Sequence, residues 1–238
     1  MTMLYSYPPL LPGILVKRYK RFMADIALKT GETITAHCPN TGPMTGIYKP
    51  GAKVYVSRSD NPKRKLAYTW ELIEVEDNGP TWVGVNTSLP NQIVALALEQ
   101  RLWTQLGDYH RVRREVTYGQ EKSRIDFLLD YGDDRPLYLE VKNTTWVRGP
   151  LALFPDTVTT RGQKHLRELT AILPQGRAVM LYFINRSDCP QFSPGDDADP
   201  CYGQLLRQAV HQGLEVLPCR FTVSPQGVDY LGLGELVL

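Results

Sequence analysis

Apolar and polar residues alternate in two neighbouring stretches near the middle of the chain. In residues 123–129, Ile125, Phe127 and Leu129 interleave with Arg124, Asp126 and Leu128. In residues 137–142, Leu137, Leu139 and Val141 interleave with Tyr138, Glu140 and Lys142. A period of two predicts strands whose alternate side chains face opposite ways, so Glu140 and Lys142 share one face and Val141 takes the other. The polar turn 131–136 would join the two as a hairpin, with the basic, β-prone segment 109–118 as a third strand ahead of them. Before that, Ile93, Leu96, Ala97, Leu102 and Leu106 recur at three- and four-residue spacing, which predicts a helix over 91–106 stopped by Gly107. A second helix is expected over 160–173, with the stripe Leu166, Leu169 and Leu173 on one face and Arg161, Lys164 and His165 on the other. Residues 178–184 are continuously apolar, as in a strand covered on both faces. A polar loop over 185–200, an amphipathic helix over 202–212 and a strand over 214–221 that extends the sheet complete the pattern. The tail 230–238 is apolar enough to pack, with the first domain as one available partner.

Upstream the rhythm is different. Strands are expected at 22–28, 33–36, 53–57, 67–75 and 81–85, separated by Gly-, Pro- and Asn-containing breaks. Short strands at this spacing fit a small barrel or sandwich, and an OB-like barrel fits well. Strand rhythm gives way to helix rhythm at 88–91. The fold class is therefore α/β overall: an OB-like β-barrel over residues 1–86, then an α/β domain with a mixed sheet over 87–238.

If the hairpin forms, Asp126 joins Glu140 and Lys142. Two carboxylates and an ammonium beside the Val141 carbonyl make an oxygen-rich site suited to Mg²⁺ or Mn²⁺, and a metal with a lysine can attack a phosphodiester. Glu-x-Lys on an exposed strand is equally compatible with solvated charge, so the neighbouring elements must carry the reading.

The order helix, three strands, helix, strand, with Asp126 on the second strand and Glu140–Val141–Lys142 on the third, resembles the core of the PD-(D/E)XK nuclease superfamily over residues 90–184. Ile125 stands where the superfamily's name has proline, and Glu99 is the one acidic residue available as a first-helix glutamate. By resemblance, Asp126, Glu140 and the Val141 carbonyl hold the metal, and Lys142 orients or deprotonates the attacking water or stabilises charge on the phosphate. A closer resemblance spans most of the chain. The strings HCPNTGPMTG from His37, KRKLAYTWEL from Lys63, VNTSLPN from Val85 and FPDTVTTRGQKHLREL from Phe154, with SRIDF and EVK, are similar to those of the sugar fermentation stimulation protein family. That likeness implies a cytoplasmic protein with an OB-like domain fused to a nuclease-like one, DNA binding, and a regulatory effect on sugar use. A Mg²⁺-dependent nuclease and a non-catalytic DNA-binding regulator both remain open at this point.

A net charge of +2 gives no whole-molecule attraction to DNA, so charge matters only where it clusters. Knots occur at 17–21, 63–65 and 111–114. Arg18, Lys20, Arg21, Lys63, Arg64 and Lys65 are the expected phosphate contacts, with Arg161, Lys164 and His165 on the second helix. A helix N-terminus there favours a phosphate by about 0.3–1 kcal/mol. No base-reading module is visible, so binding is expected to be independent of sequence. RNA stays open, because OB barrels accept single strands of both kinds. The loop 37–44 reads either as a tight turn closing the barrel or as a backbone nest aimed at phosphate. Four cysteines without a Cys-x-x-Cys argue against zinc and suit reduced thiols in a cytoplasm. The prolines at 8, 9 and 12 disfavour a secretory leader, and no apolar run reaches membrane-spanning length. Neither a nucleophile elbow nor a glycine-rich nucleotide loop is present.

Overall fold

The computed structural model describes residues 3–132 and 135–238, so part of the turn expected at 131–136 lies outside the described residues. A short first strand, β1 (Tyr5–Ser6), precedes β2 (Leu10–Tyr19), β3 (Met23–Leu28), β4 (Thr33–His37), β5 (Lys53–Arg58), β6 (Tyr68–Glu76) and β7 (Pro80–Gly84). The last six form a sheet in the order β4-β3-β2-β5-β6-β7, and a parallel pairing of β4 with β6 closes it into a barrel. The five expected strands are all present, and β2 is additional. Pro12 and Gly13 read as breakers, yet both lie in the ladder between β2 and β5. At Gly13 a Cβ would come within 2.6 Å of the Ile26 side chain and 2.9 Å of the Ala27 carbonyl, so glycine there allows close strand approach.

The rest of the chain runs α1 (Leu89–Glu99), a single 3₁₀ turn (Thr104–Leu106), β8 (Arg111–Tyr118), β9 (Ser123–Asp130), β10 (Leu137–Thr144), β11 (Trp146–Arg148), β12 (Leu151–Phe154), α2 (Thr160–Ile172), β13 (Arg177–Ile184), β14 (Gln191–Pro194), α3 (Pro200–His211), β15 (Glu215–Ser224), β16 (Gly227–Leu233) and β17 (Glu235–Leu236). A seven-stranded mixed sheet orders them β1-β16-β15-β13-β10-β9-β8, with β10, β13 and β15 parallel. One face packs on α1 through Ile93, Val94, Phe127, Leu139 and Phe183. The other packs on α2 and α3 through Leu166, Leu169, Met180, Tyr182 and Leu206. Both faces of β13 are therefore covered, which is why its sequence shows no alternation.

Three expectations change. The first helix ends at Glu99 because Arg101 takes a left-handed φ of 51° and its guanidinium turns back onto the Tyr109 ring and carbonyl. The tail does not seek the barrel: Tyr230, in β16, packs on Trp103 and Phe221 of the C-terminal sheet. That same sheet recruits the start of the chain, since β1 pairs with β16. Finally, the polar stretch 185–200 is no simple loop. It contains β14, which joins β11, β12 and β17 in a small sheet, and Arg186, whose side chain is wholly buried. Arg186 donates to Asp77 beyond barrel strand β6 at 2.9 Å, to Asp188 at 2.6 and 2.7 Å, and to the Thr145 carbonyl at 3.0 Å. Its backbone also bridges Val83 of β7. This guanidinium is one of several ties between barrel and α/β unit, beside Gly84 N to the Asn185 carbonyl at 3.0 Å and Asn78 Nδ2 to the Gly149 carbonyl at 2.7 Å.

Candidate metal and phosphodiester site

The ladder between β9 and β10 runs from Leu129↔Leu137 to Phe127↔Leu139 and stops. Asp126 is the next residue on β9. In place of a ladder bond, its Oδ2 accepts the Val141 N–H at 2.7 Å, so the side chain satisfies a donor that the parting strands leave free. Its Oδ1 accepts from Asn91 Nδ2 at 2.7 Å. Asn91 comes from the first turn of α1, and the start of that helix is fixed from the barrel. Buried Glu71 on β6 accepts from Asn86 at 2.8 Å, and Asn86 Oδ1 accepts from Ser88 N and Oγ at 3.1 and 2.6 Å. Glu99 is exposed on the last turn of α1. The first helix therefore serves the site through an amide and not through a glutamate.

Glu140 and Lys142 share a face of β10, the one that α2 covers. Glu140 is 3% exposed; its Oε1 accepts from Lys142 Nζ at 2.6 Å and contacts His165 Nδ1. Lys142 Nζ also lies 3.4 Å from that nitrogen, and Arg161 Nε lies 3.5 Å from His165 Nε2. The helix is held in this place by its cap. Thr159 Oγ1 accepts the Gly162 N–H at 3.1 Å, and Asp199 accepts the Thr159 N–H at 2.8 Å while capping α3 through Tyr202 N. A Cβ on Gly162 would stand 2.7 Å from Thr159 Cγ2 and 3.1 Å from the Tyr202 ring, so glycine avoids crowding between the cap and the two helices.

Burial first, and the Glu140 charge second, push the Asp126 carboxyl from its ordinary 3.8 up to about 6. Burial also acts upward on Glu140, but Lys142 and His165 together outweigh it and leave that carboxyl below its ordinary value. The two carboxyls are thus driven apart. Because the folded value of Asp126 is raised, the stability it contributes is complete below about pH 4 and is lost as pH rises through about 6. Wild type is accordingly expected to lose about 2–3 kcal/mol relative to Asp126→Asn between about pH 4 and pH 7, read by urea unfolding in chelator.

Glu140 Oε2 is inaccessible and has no hydrogen-bond partner among the described residues. A buried carboxylate oxygen without a donor is costly, and a second carboxylate nearby adds repulsion; a hard cation would relieve both. Among the described residues no three His, Cys, Asp or Glu side chains gather round one point. The protein would therefore supply two carboxylates, leaving backbone oxygen and water for the remaining positions, a donor set that suits Mg²⁺ or Mn²⁺.

The other expected contacts fall into three groups. Lys20, Lys63 and Lys65 are exposed; Arg64, also exposed, donates to Thr69 Oγ1 at 2.9 Å. Arg18 and Arg21 brace the loop 37–44, Arg21 while staying exposed: Arg18 Nη2 donates to the Asn40 and Gly42 carbonyls at 2.9 and 2.8 Å, and Arg21 Nε to that of Thr41 at 2.9 Å. On α2, Lys164 Nζ donates to the Glu121 carbonyl at 3.0 Å, while His165 is 4% exposed and belongs to the carboxylate cluster, not the surface. Sequence reading missed Asn91, whose only signal was its place just after the helix-starting Pro90.

Residues 16–85 match the SfsA N-terminal OB domain, and residues 88–227 match the sugar fermentation stimulation protein RE domain. A sugar fermentation stimulation protein homolog from Cyanothece sp. is 68% identical over 235 residues, covering 99% of this chain and 98% of that protein. Its counterpart from Synechococcus elongatus is 71% identical over 235 residues, with the same coverage. Among solved structures, that of Pyrococcus furiosus SfsA in complex with Ca²⁺ superposes with a TM-score of 0.89 at 24% identity over the whole of both chains, a likeness of fold.

Proposed function

Because this chain belongs to the sugar fermentation stimulation protein family, we propose that the family's fold here carries a divalent-metal phosphodiesterase site in a DNA-binding protein. The observation that carries this reading is the convergence of Asp126, Glu140 and Lys142 where β9 and β10 part, with one Glu140 oxygen buried and unpartnered. The Ca²⁺ in the Pyrococcus furiosus relative agrees with it. We place the protein in the cytoplasm, as its four free thiols suggest, and take its DNA contacts to be independent of sequence, with RNA as a further substrate to assay. The regulatory effect on sugar use that the relatives' name implies would follow from acting on nucleic acid.

Asp126 and Glu140 would hold the ion, which when bound polarises a phosphodiester and activates water. Asn91 and the Val141 N–H orient the Asp126 carboxylate, and His165 orients that of Glu140. Lys142 is tethered to Glu140 by one of its three N–H donors and lies 3.4 Å from His165 Nδ1, which leaves at least one donor for a phosphate oxygen or the attacking water. A second reading, a non-catalytic regulator on a nuclease-like scaffold, is favoured by one observation: Glu140 and His165 are almost fully buried, so nucleic acid reaches the cluster mainly through Lys142 and Asp126.

Calorimetric titration of Mg²⁺ and Mn²⁺ tests the metal half of the proposal. Wild type should bind one ion, and Asp126→Ala and Glu140→Ala should each weaken it by at least about tenfold with the fold kept. Equal affinity in all three proteins would reduce the pair to ordinary charge.

A further inference from the structure

Three of the strings that stand out in the sequence, those beginning at His37, Val85 and Phe154, meet in a pocket that the carboxylate site does not use. Its volume is 220 Å³, and Asn40, Asn143, Thr145, Trp146, Phe154 and Asp156 line most of it. It opens between the barrel loop after β4 and the C-terminal end of β10, one residue beyond Lys142. The walls are already braced. Arg18 and Arg21 hold the barrel loop from behind, and Thr87 Oγ1 donates to the Pro39 carbonyl at 3.0 Å. Across the pocket, Thr45 N donates to Asp156 Oδ2 at 3.2 Å.

What these bonds leave over is informative. Asn40 Oδ1 is taken by Gly42 N, and Asn143 Oδ1 by Asn185 Nδ2, so each keeps a free amide nitrogen among the described residues. Asp156 keeps Oδ1, and neither Thr145 Oγ1 nor Trp146 Nε1 has a hydrogen-bond partner there. None of these five atoms is both buried and unpartnered, so each keeps some exposure to solvent. The set is two amide donors, an indole N–H, a hydroxyl and a carboxylate oxygen, without a lysine or arginine in the lining. Phosphate would find no cation and one repelling carboxylate. A flat neutral ring with donors and acceptors on its edge would find partners for both, and Trp146, over whose ring Arg148 lies at 5.7 Å, adds aromatic surface to the wall. The volume is below that of a drug-sized site, which limits the guest to one such ring.

We propose that this pocket takes one unstacked nucleobase of the strand whose backbone reaches Lys142, so that the nucleic acid is single-stranded or frayed where it meets the site. The proposal rests on the nucleic-acid reading given above and adds the substrate class. A base paired in a duplex presents neither its face nor its Watson–Crick edge; a displaced or single-stranded base presents both.

The test uses the full chain in chelator with three probes: a single-stranded dT oligonucleotide carrying 5-iododeoxyuridine, a duplex of the same length, and free glucose. Irradiation should crosslink the single strand to the peptide bearing Trp146. Thr145→Val, which keeps the volume of the side chain, and Trp146→Phe, which keeps an aromatic face, should each weaken single-strand binding by about five- to tenfold while duplex binding stays within twofold. Unchanged thermal midpoints would confirm that both variants fold. Crosslinks confined to other segments, equal losses for single strand and duplex, or a Trp146-dependent response to glucose in place of the oligonucleotide would each overturn the pocket while leaving DNA binding intact. Failure to bind any nucleic acid would overturn the pocket and the underlying reading together.

Discussion

Arg186→Ala should cost about 3–5 kcal/mol of unfolding free energy, the loss expected when one partner of a buried ionic cluster is removed. The guanidinium is wholly buried and answers two carboxylates and a carbonyl that come from different parts of the fold. Without it, Asp188 remains 8% exposed and charged with no cation, and the Thr145 carbonyl loses a donor. Asp77 suffers less, because Lys49 lies 3.1 Å away and the side chain is 24% exposed. The measurement is urea unfolding of wild type, Arg186→Ala and Arg186→Met/Asp188→Asn. The double variant should recover part of the loss by removing the stranded charge, and the slope of the transition should stay common if barrel and α/β unit unfold together.

Lys142→Ala should lower metal-dependent cleavage by about two to three orders of magnitude, the size typical of losing one electrostatic or acid–base group at a reacting centre. Metal affinity should change little, since Lys142 is not an oxygen donor, and DNA affinity should fall by about one phosphate contact. Single-turnover cleavage alongside metal and DNA titrations separates these effects. His165→Ala offers a contrast: it frees Glu140 without touching the reacting phosphate, so its main effect should appear in metal affinity.

Asp126, Glu140 and Lys142 were legible because a strand's period of two is local: four residues of alternation suffice to say which side chains share a face. The barrel strands were legible for the same reason, apart from β2. There Pro12 and Gly13 signal a break in sequence, yet Pro12 pairs with Tyr55 and Gly13 is a close-approach point in the ladder. Asn91 was not legible. Its bond to Asp126 spans 35 residues and exists only once α1 lies across the sheet. His165 shows a subtler failure. Its pairing with Arg161 at i, i+4 is real, but the Leu166, Leu169 and Leu173 stripe suggested that the opposite face meets solvent. In the fold α2 packs against both the sheet and α3, and both His165 and Glu168 are buried. Amphipathic periodicity identifies the most apolar face of a helix and says nothing of a polar face that a carboxylate on the sheet will recruit. The apolar tail and the two-residue β1 illustrate the same limit, since only the assembled sheet shows that they complete it.

Metal-assisted phosphodiester chemistry at the Asp126–Glu140–Lys142 cluster can be tested outright. The direct measurement is incubation of the pure protein with linear, nicked, single-stranded and branched DNA, with and without Mg²⁺ or Mn²⁺, beside Glu140→Ala. Cleavage of at least one of these substrates that requires the ion and disappears in Glu140→Ala is the predicted result. Intact DNA in every reaction, by a protein that nevertheless binds it, would contradict the claim and leave the non-catalytic regulator.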